Sequence, residues 1–409
     1  MTSTAGVAAD VAGRHATRAP GGGRIVGLDG IRGLAALFVV VHHCYLASFP
    51  GYTRFTGPWW AGWMLYGHLA VVVFIVLSGF SLSIGPARHG WHLDGLGKYA
   101  HRRAWRILSA YWPALVFSIV MAWLFVPQPG EGAPTARSAV VFGLLLQDVT
   151  GAPSPNGAFW SIAIEAQLYV VLPLLFLLVR RTGMAVMLVA VTLPVLVIGT
   201  FAPTVHVIDL FTRFTPQLAV GFAAGVVAAG MANDERWRRL PLLWLAAGAA
   251  VPPLALIAAM GPLWTFEHYF WVDLSALPAM ALLLAAIGAG GARRVSGVLD
   301  APPLRSLGGF SYSLYLIHAP IVVAVAALVV RPRLGWGVDT LLVMLVVALP
   351  LSLLASRLFA AVFDLPFQRH KSWSALFAAA KDRFRWLLGG RRATSATVEA
   401  DTSVATQSG

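Results

Sequence analysis

Apolar runs of 18 or more residues recur along this chain, and nothing else in it restricts the fold so severely. Each run is long enough to cross the roughly 30 Å hydrocarbon core of a bilayer as one helix. The candidate spans cover residues 28–46, 63–84, 107–126, 160–179, 184–202, 207–230, 240–260, 270–288, 310–330 and 338–363. A further apolar piece, 139–147, is too short to cross and fits a re-entrant or interfacial segment. With 58% hydrophobic and 11% charged residues, the chain is not an ordinary soluble domain. No long polar linker separates the runs, so one all-α polytopic domain of about ten transmembrane helices is expected.

Thirty Lys and Arg against 17 Asp and Glu give a net charge of +13. In a membrane chain such an excess encodes orientation, and no nucleic-acid partner is expected from it. With the N-terminus inside, about 23 of the 30 basic residues fall on the inner side. Four fall outside: Arg54, Arg137, Arg331 and Arg333. If 139–147 crossed the membrane, every later basic loop would change side, so it is expected not to cross and both termini to be cytoplasmic. Residues 1–24 have no apolar core and read as a disordered cytoplasmic N-terminus without signal-peptide features. Residues 25–368 form the membrane domain and 369–409 a basic cytoplasmic tail. Within that tail, 373–388 carries an apolar face interleaved with Lys381, Arg383 and Arg385, suiting either an amphipathic helix on an anionic membrane or a solvated tail. Cys44, the sole cysteine, excludes internal disulfides and a cysteine metal site. No zinc spacing, Walker loop or GxSxG element is present, so no metal is expected.

Polar residues inside the spans are where function is sought, because an ionisable group in the membrane is costly unless it faces a bundle interior or wet cavity. The first span carries Arg32, His42 and His43. Eleven residues separate Arg32 from His43, which puts both on one helical face about 16 Å apart along the axis; His42 points about 100° away. The fourth span carries Ser161, Glu165 and Tyr169 at i, i+4, i+8, with Trp160 at its outer edge. Counted from the helix ends, Glu165 and His43 share the outer half of the membrane. A carboxylate meeting an imidazole there fixes its tautomer and stabilises its cation, the arrangement of a general base. The competing reading is a structural hydrogen bond between helices. Lys98, Arg102, Arg103 and Arg106 cluster before the third span, with Tyr111 just beyond; this is either orientation charge or a cradle for a phosphorylated cofactor. Arg32 carries the same ambiguity, since it can snorkel to the inner surface. Ser78-Gly79 interrupts an apolar wall and permits close helix packing. Ser311, Tyr315 and His318 share a face of the ninth span beside Tyr312, marking a polar cavity or a satisfied core histidine.

These pieces together resemble the membrane acyltransferase-3 family. Arg32 through His43 matches its Arg-x10-His signature, and VFIVLSGFSL its FFVLSGF-like second helix. HRRAWRILSAYW, FWSIAIEAQLYVVLP and YSLYLIHAP follow in the family's order, and FDLPF (363–367) is similar to its final FExPF element. The proline expected ahead of Tyr111 is replaced by Ser109-Ala110, and Asp364 stands where a glutamate is usual. No hydrolase-like domain follows the bundle, so transfer is expected to finish within the membrane.

The resemblance implies an O-acyltransferase using acyl-CoA, most simply acetyl-CoA, as co-substrate. The acceptor it implies is a hydroxyl of a cell-surface glycan, glycolipid or macrolide-type metabolite. It favours Arg32, Arg102, Arg103, Arg106, Tyr111, Tyr312 and His318 on the donor side. His43 is then the base, steadied by Glu165, with Trp160 and Ser161 toward the acceptor. A proton-coupled transporter is the rival reading, since intramembrane His, Glu and Arg also build proton relays. It calls for inverted repeats and paired broken helices, which the sequence does not show.

Overall fold

The computed structural model describes residues 24–50, 57–370, 372, 374–378 and 381. Most of the tail helix expected at 373–388 and all but Arg24 of the N-terminal segment lie outside these. The described residues form helices and no strand. Nine helices among them are long and apolar enough to span a bilayer. A tenth is made if His206–Phe214 and Gln217–Asn233, bent by 50°, count as one.

In chain order, α1 is Leu28–Ser48 and α2 is Gly67–Arg88, entered through a tight helical turn at Trp59–Tyr66. Then come α3 (Leu96–Leu124), the short α4 (Ala136–Gly143), α5 (Trp160–Thr182), α6 (Met184–Phe201) and α7 (Gln217–Asn233). The remainder are α8 (Leu242–Glu267), α9 (Tyr269–Gly288), α10 (Arg293–Leu299), α11 (Pro302–Gly309), α12 (Ser311–Ala324), α13 (Val338–Phe363) and α14 (Leu365–Arg369). α4 is the segment judged too short to cross, and at eight residues it is. Its start is fixed by Thr135 and Ser138, whose hydroxyls and backbone N–H groups satisfy each other reciprocally. The third span begins earlier than its apolar run, because Lys98 and the three arginines are already helical.

Two apolar clusters share α2 and α5. One joins them to α6, α7 and α9, the other to α1, α3, α12 and α13. The span through α12, Ser311–Leu334, is 78% buried within the protein, whereas α6 is 11% buried; α12 is central and α6 lines the edge. The Ser78-Gly79 break does what small residues in a membrane do. A Cβ on Gly79 would lie 2.1 Å from the Phe222 carbonyl oxygen of α7, and one on Gly225 equally close to that of Val76. The α2–α7 contact is therefore backbone against backbone.

Candidate active site

α1, α2, α3, α5 and α12 enclose a cavity of about 390 Å³. Along α2 its wall runs from Leu82 to Val71, eleven residues, or about 16 Å of helix. That equals the axial offset between Arg32 and His43. One end is basic, the middle carries a carboxylate, and the far end approaches two imidazoles.

At the basic end Arg32, Arg103 and Arg106 all line the cavity. Arg32 donates to Asp29 (3.1 Å) and to Ser81 Oγ (2.8 Å). Arg106 donates to Asp364 (2.5 Å) and lies 5.0 Å over the Tyr312 ring. Asp364, 1% exposed, also accepts from Ser313 and Gln368, so the FDLPF motif is clamped to α3. Arg103 differs: its Nε is buried with no partner among the described residues. Of the three it has the most capacity left for an incoming anion. Arg102 is exposed, beside a separate recess with Trp105 and Phe367. Tyr312 lines the cavity as expected, its hydroxyl donating to the Ile107 carbonyl (3.1 Å). Tyr111 does not. It lies five residues beyond Arg106, about 140° around the helix, and donates to the Phe142 carbonyl (2.9 Å).

Mid-cavity, Glu165 Oε1 accepts from Ser78 Oγ (2.5 Å) and Tyr169 OH (2.6 Å). The expected pairing of Glu165 with His43 is not formed. Glu165 is taken up instead by Ser78 of α2 and by Tyr169 of its own helix, which leaves His43 to α12. Ser161, one turn nearer the start of α5, is hydrogen-bonded to Tyr315 (2.6 Å) at the end of the cavity toward the imidazoles.

His318 is one turn past Tyr315, its ring 5.9 Å away. Rather than lining the donor cavity, it meets His43: His318 Nε2 is 3.3 Å from His43 Nδ1. The backbone assigns both tautomers. His318 Nδ1 lies 3.0 and 2.9 Å from the Leu314 and Tyr315 carbonyls, which only accept, so Nδ1 carries the proton and Nε2 the lone pair. His43 Nδ1 lies 2.9 Å from the Val39 carbonyl and is likewise protonated, its N–H shared with His318 Nε2. His43 Nε2 therefore keeps its lone pair, as a base must. His42 is buried, with Nδ1 2.9 Å from the Met64 carbonyl.

One polar cluster escaped the sequence reading. Asp273, 0% exposed near the start of α9, accepts from His68 Nε2 (2.8 Å) and Gln217 (3.2 Å). The His68 ring lies between Tyr269 and Trp160, stacked at 4.3 and 5.7 Å. Trp160 thus buttresses His68. An aspartate inside an apolar run was the available signal.

Residues 25–360 match the sequence profile described as an acyltransferase domain, acyltransferase-3. The chain belongs to the acyltransferase-3 family. Among curated relatives of this family, the chain is 25% identical over 330 residues to a putative peptidoglycan O-acetyltransferase, YrhL, of Bacillus subtilis. That alignment covers 73% of this chain and 49% of the relative. It is 24% identical over 338 residues to the O-acetyltransferase OatA of Staphylococcus aureus, covering 75% and 52%. A third acyltransferase-3 relative, the acyltransferase MdmB of Streptomyces mycarofaciens, is 24% identical over 323 residues, covering 73% and 79%. The chain thus spans about half the length of the first two. No solved structure matches. Like its acyltransferase-3 relatives, this is a multi-pass membrane protein.

Proposed function

We propose that this protein is an O-acyltransferase moving an acyl group, most simply acetyl, from cytoplasmic acyl-CoA to a hydroxyl of a sugar-bearing acceptor. The observation that carries the reading is the cavity itself, basic at one end and bounded at the other by Tyr315, whose ring lies 5.9 Å from that of His318, the partner of His43. The donor's phosphates rest at the arginine end, Arg103 foremost, because guanidinium forks suit phosphate oxygens. Its thin pantetheine arm lies along Ser78 and Glu165, bringing the thioester to the Ser161–Tyr315 end.

His43 Nε2 takes the acceptor's hydroxyl proton as the oxygen attacks the thioester carbonyl. The C–S bond breaks, and His43 returns the proton to the leaving thiolate, so no net proton is released. His318 accepts from the Nδ1–H of the imidazolium, the stabilising role expected of Glu165. Glu165 instead orders the cavity wall through the hydroxyls of Ser78 and Tyr169.

One relative's name, a putative peptidoglycan O-acetyltransferase, supports the choice of acceptor class. Purified protein given labelled acetyl-CoA and a panel of glycans and glycosylated metabolites tests the reading directly. Transfer of label to an acceptor hydroxyl is expected, and label uptake that never leaves the donor sinks it. Mass spectrometry of cell extracts with and without the gene identifies the acceptor by a shift of one acyl mass.

A further inference from the structure

A second cavity, about 950 Å³, opens between α3 and α5 on the side away from the imidazoles. Its floor is apolar: Leu96, Ala104 and Leu108 from α3 face Val170, Leu174 and Leu177 from α5. Several of these are bare, with Leu96, Val170 and Leu174 exposed by 64%, 80% and 62%. From Leu96 to Leu108 the trough runs twelve residues, about 18 Å, close to the hydrocarbon depth of one leaflet.

Arg180 near the end of α5 and His92 line the end of the trough nearest Leu96, and Arg103 lines its wall seven residues further along α3. Among the described residues neither arginine is ion-paired, and Arg103 Nε is buried without a partner. Arg103, Ile107 and Tyr169 line this space and the first cavity alike, so the two are neighbours. An apolar trough the length of one leaflet, with a guanidinium that has no ion-pair partner among the described residues at one end and no carboxylate in its lining, complements a molecule with an anionic head and a hydrocarbon tail.

We propose that this groove is a binding site for one anionic phospholipid. Its phosphate is held by Arg180 beside His92, leaving Arg103 to the first cavity, and an acyl chain lies along Ala104 and Leu108 against Leu174 and Leu177. A zwitterionic lipid fills the trough equally well but gains less at its head, because its ammonium group offsets the phosphate charge that the guanidinium would meet.

The test is photocrosslinking of the full chain in nanodiscs of phosphatidylcholine, using phosphatidylglycerol with a diazirine in its acyl tail as probe. Label is expected on peptides from 96–108 and 166–177, competed by unlabelled phosphatidylglycerol and not by acetyl-CoA. Arg180→Gln, outside the proposed transfer machinery, should cut labelling there about fivefold. Ala104→Trp should fill the trough and cut it about tenfold or more. Should that variant fail to elute as a single species, Leu174→Trp fills the same space from the facing helix. Label spread evenly over α6 and α8 as well, or equal labelling by a phosphatidylcholine probe, overturns the proposal. Displacement by acetyl-CoA also overturns it, by making the trough part of the donor site. None of these outcomes depends on acyl transfer, so the lipid site and the enzymatic reading stand or fall separately.

Discussion

His43 and His318 divide the work of one base between two rings. Val39 and His318 hold the proton of His43 on Nδ1 and leave Nε2 for the substrate. His43→Ala removes the base, and the expected loss in kcat is about 10²–10⁴ with the protein still inserted. His318→Phe preserves ring volume but withdraws the acceptor, leaving the Val39 carbonyl alone on the imidazolium. A kcat loss of about tenfold with unchanged acyl-CoA KM is expected; a defect confined to KM would return His318 to the donor side. Burial pushes the Asp148 carboxyl, in the connection before α5, up to about 6, partly offset by the amide of Gln167. A group whose folded pKa is raised favours the folded state below its unfolded pKa, and that contribution is lost as pH rises through the folded value. Wild-type thermal stability should therefore fall relative to Asp148→Asn between about pH 4 and 6 and stay lower at neutral pH. Parallel melting curves for the two proteins across that range are the result that removes this prediction.

At the level of elements, long apolar stretches were legible because length and composition alone specify a span. Helix depth was not. Counting residues from a presumed membrane edge placed Glu165 beside His43, but packing gives Glu165 to Ser78 and Tyr169 and His43 to His318. The broken start of α7 also escaped, since Thr215, at φ 45, departs from the helix inside an otherwise continuous span. Periodicity brought Ser161 and Tyr315 to notice separately; only packing joined them. Asp273 shows the same limit from the other side, because its partners come from α2 and α7, distant in sequence. Breaking a buried pair by removing one member costs about 3–5 kcal/mol, since the other is left uncompensated. Asp273→Ala should thus lower the melting temperature sharply, whereas adding His68→Ala should cost less than the sum of the two single changes. Additive losses would mean that the two side chains do not act as a pair.

For the whole molecule, everything proposed about donor and acceptor rests on which end of the cavity meets the cytoplasm. The arginine end collects α3's basic start, the end of α5 and the FDLPF clamp, and the bias of basic residues is the ground on which we propose that this end faces inside. The chain offers a clean way to check this, because Cys44 is its sole cysteine and is 0% exposed. A single new cysteine then reports its own side. Ala133→Cys lies in the exposed connection between α3 and α4, and Arg181→Cys is exposed at the end of α5. In intact cells a membrane-impermeant maleimide should label Ala133→Cys and leave Arg181→Cys untouched until the membrane is opened. The opposite pattern would turn the arginines outward, away from cytoplasmic acyl-CoA. The cavity would then need an anionic donor from outside the cell, and the charge bias that oriented every helix would have to be explained by something other than topology.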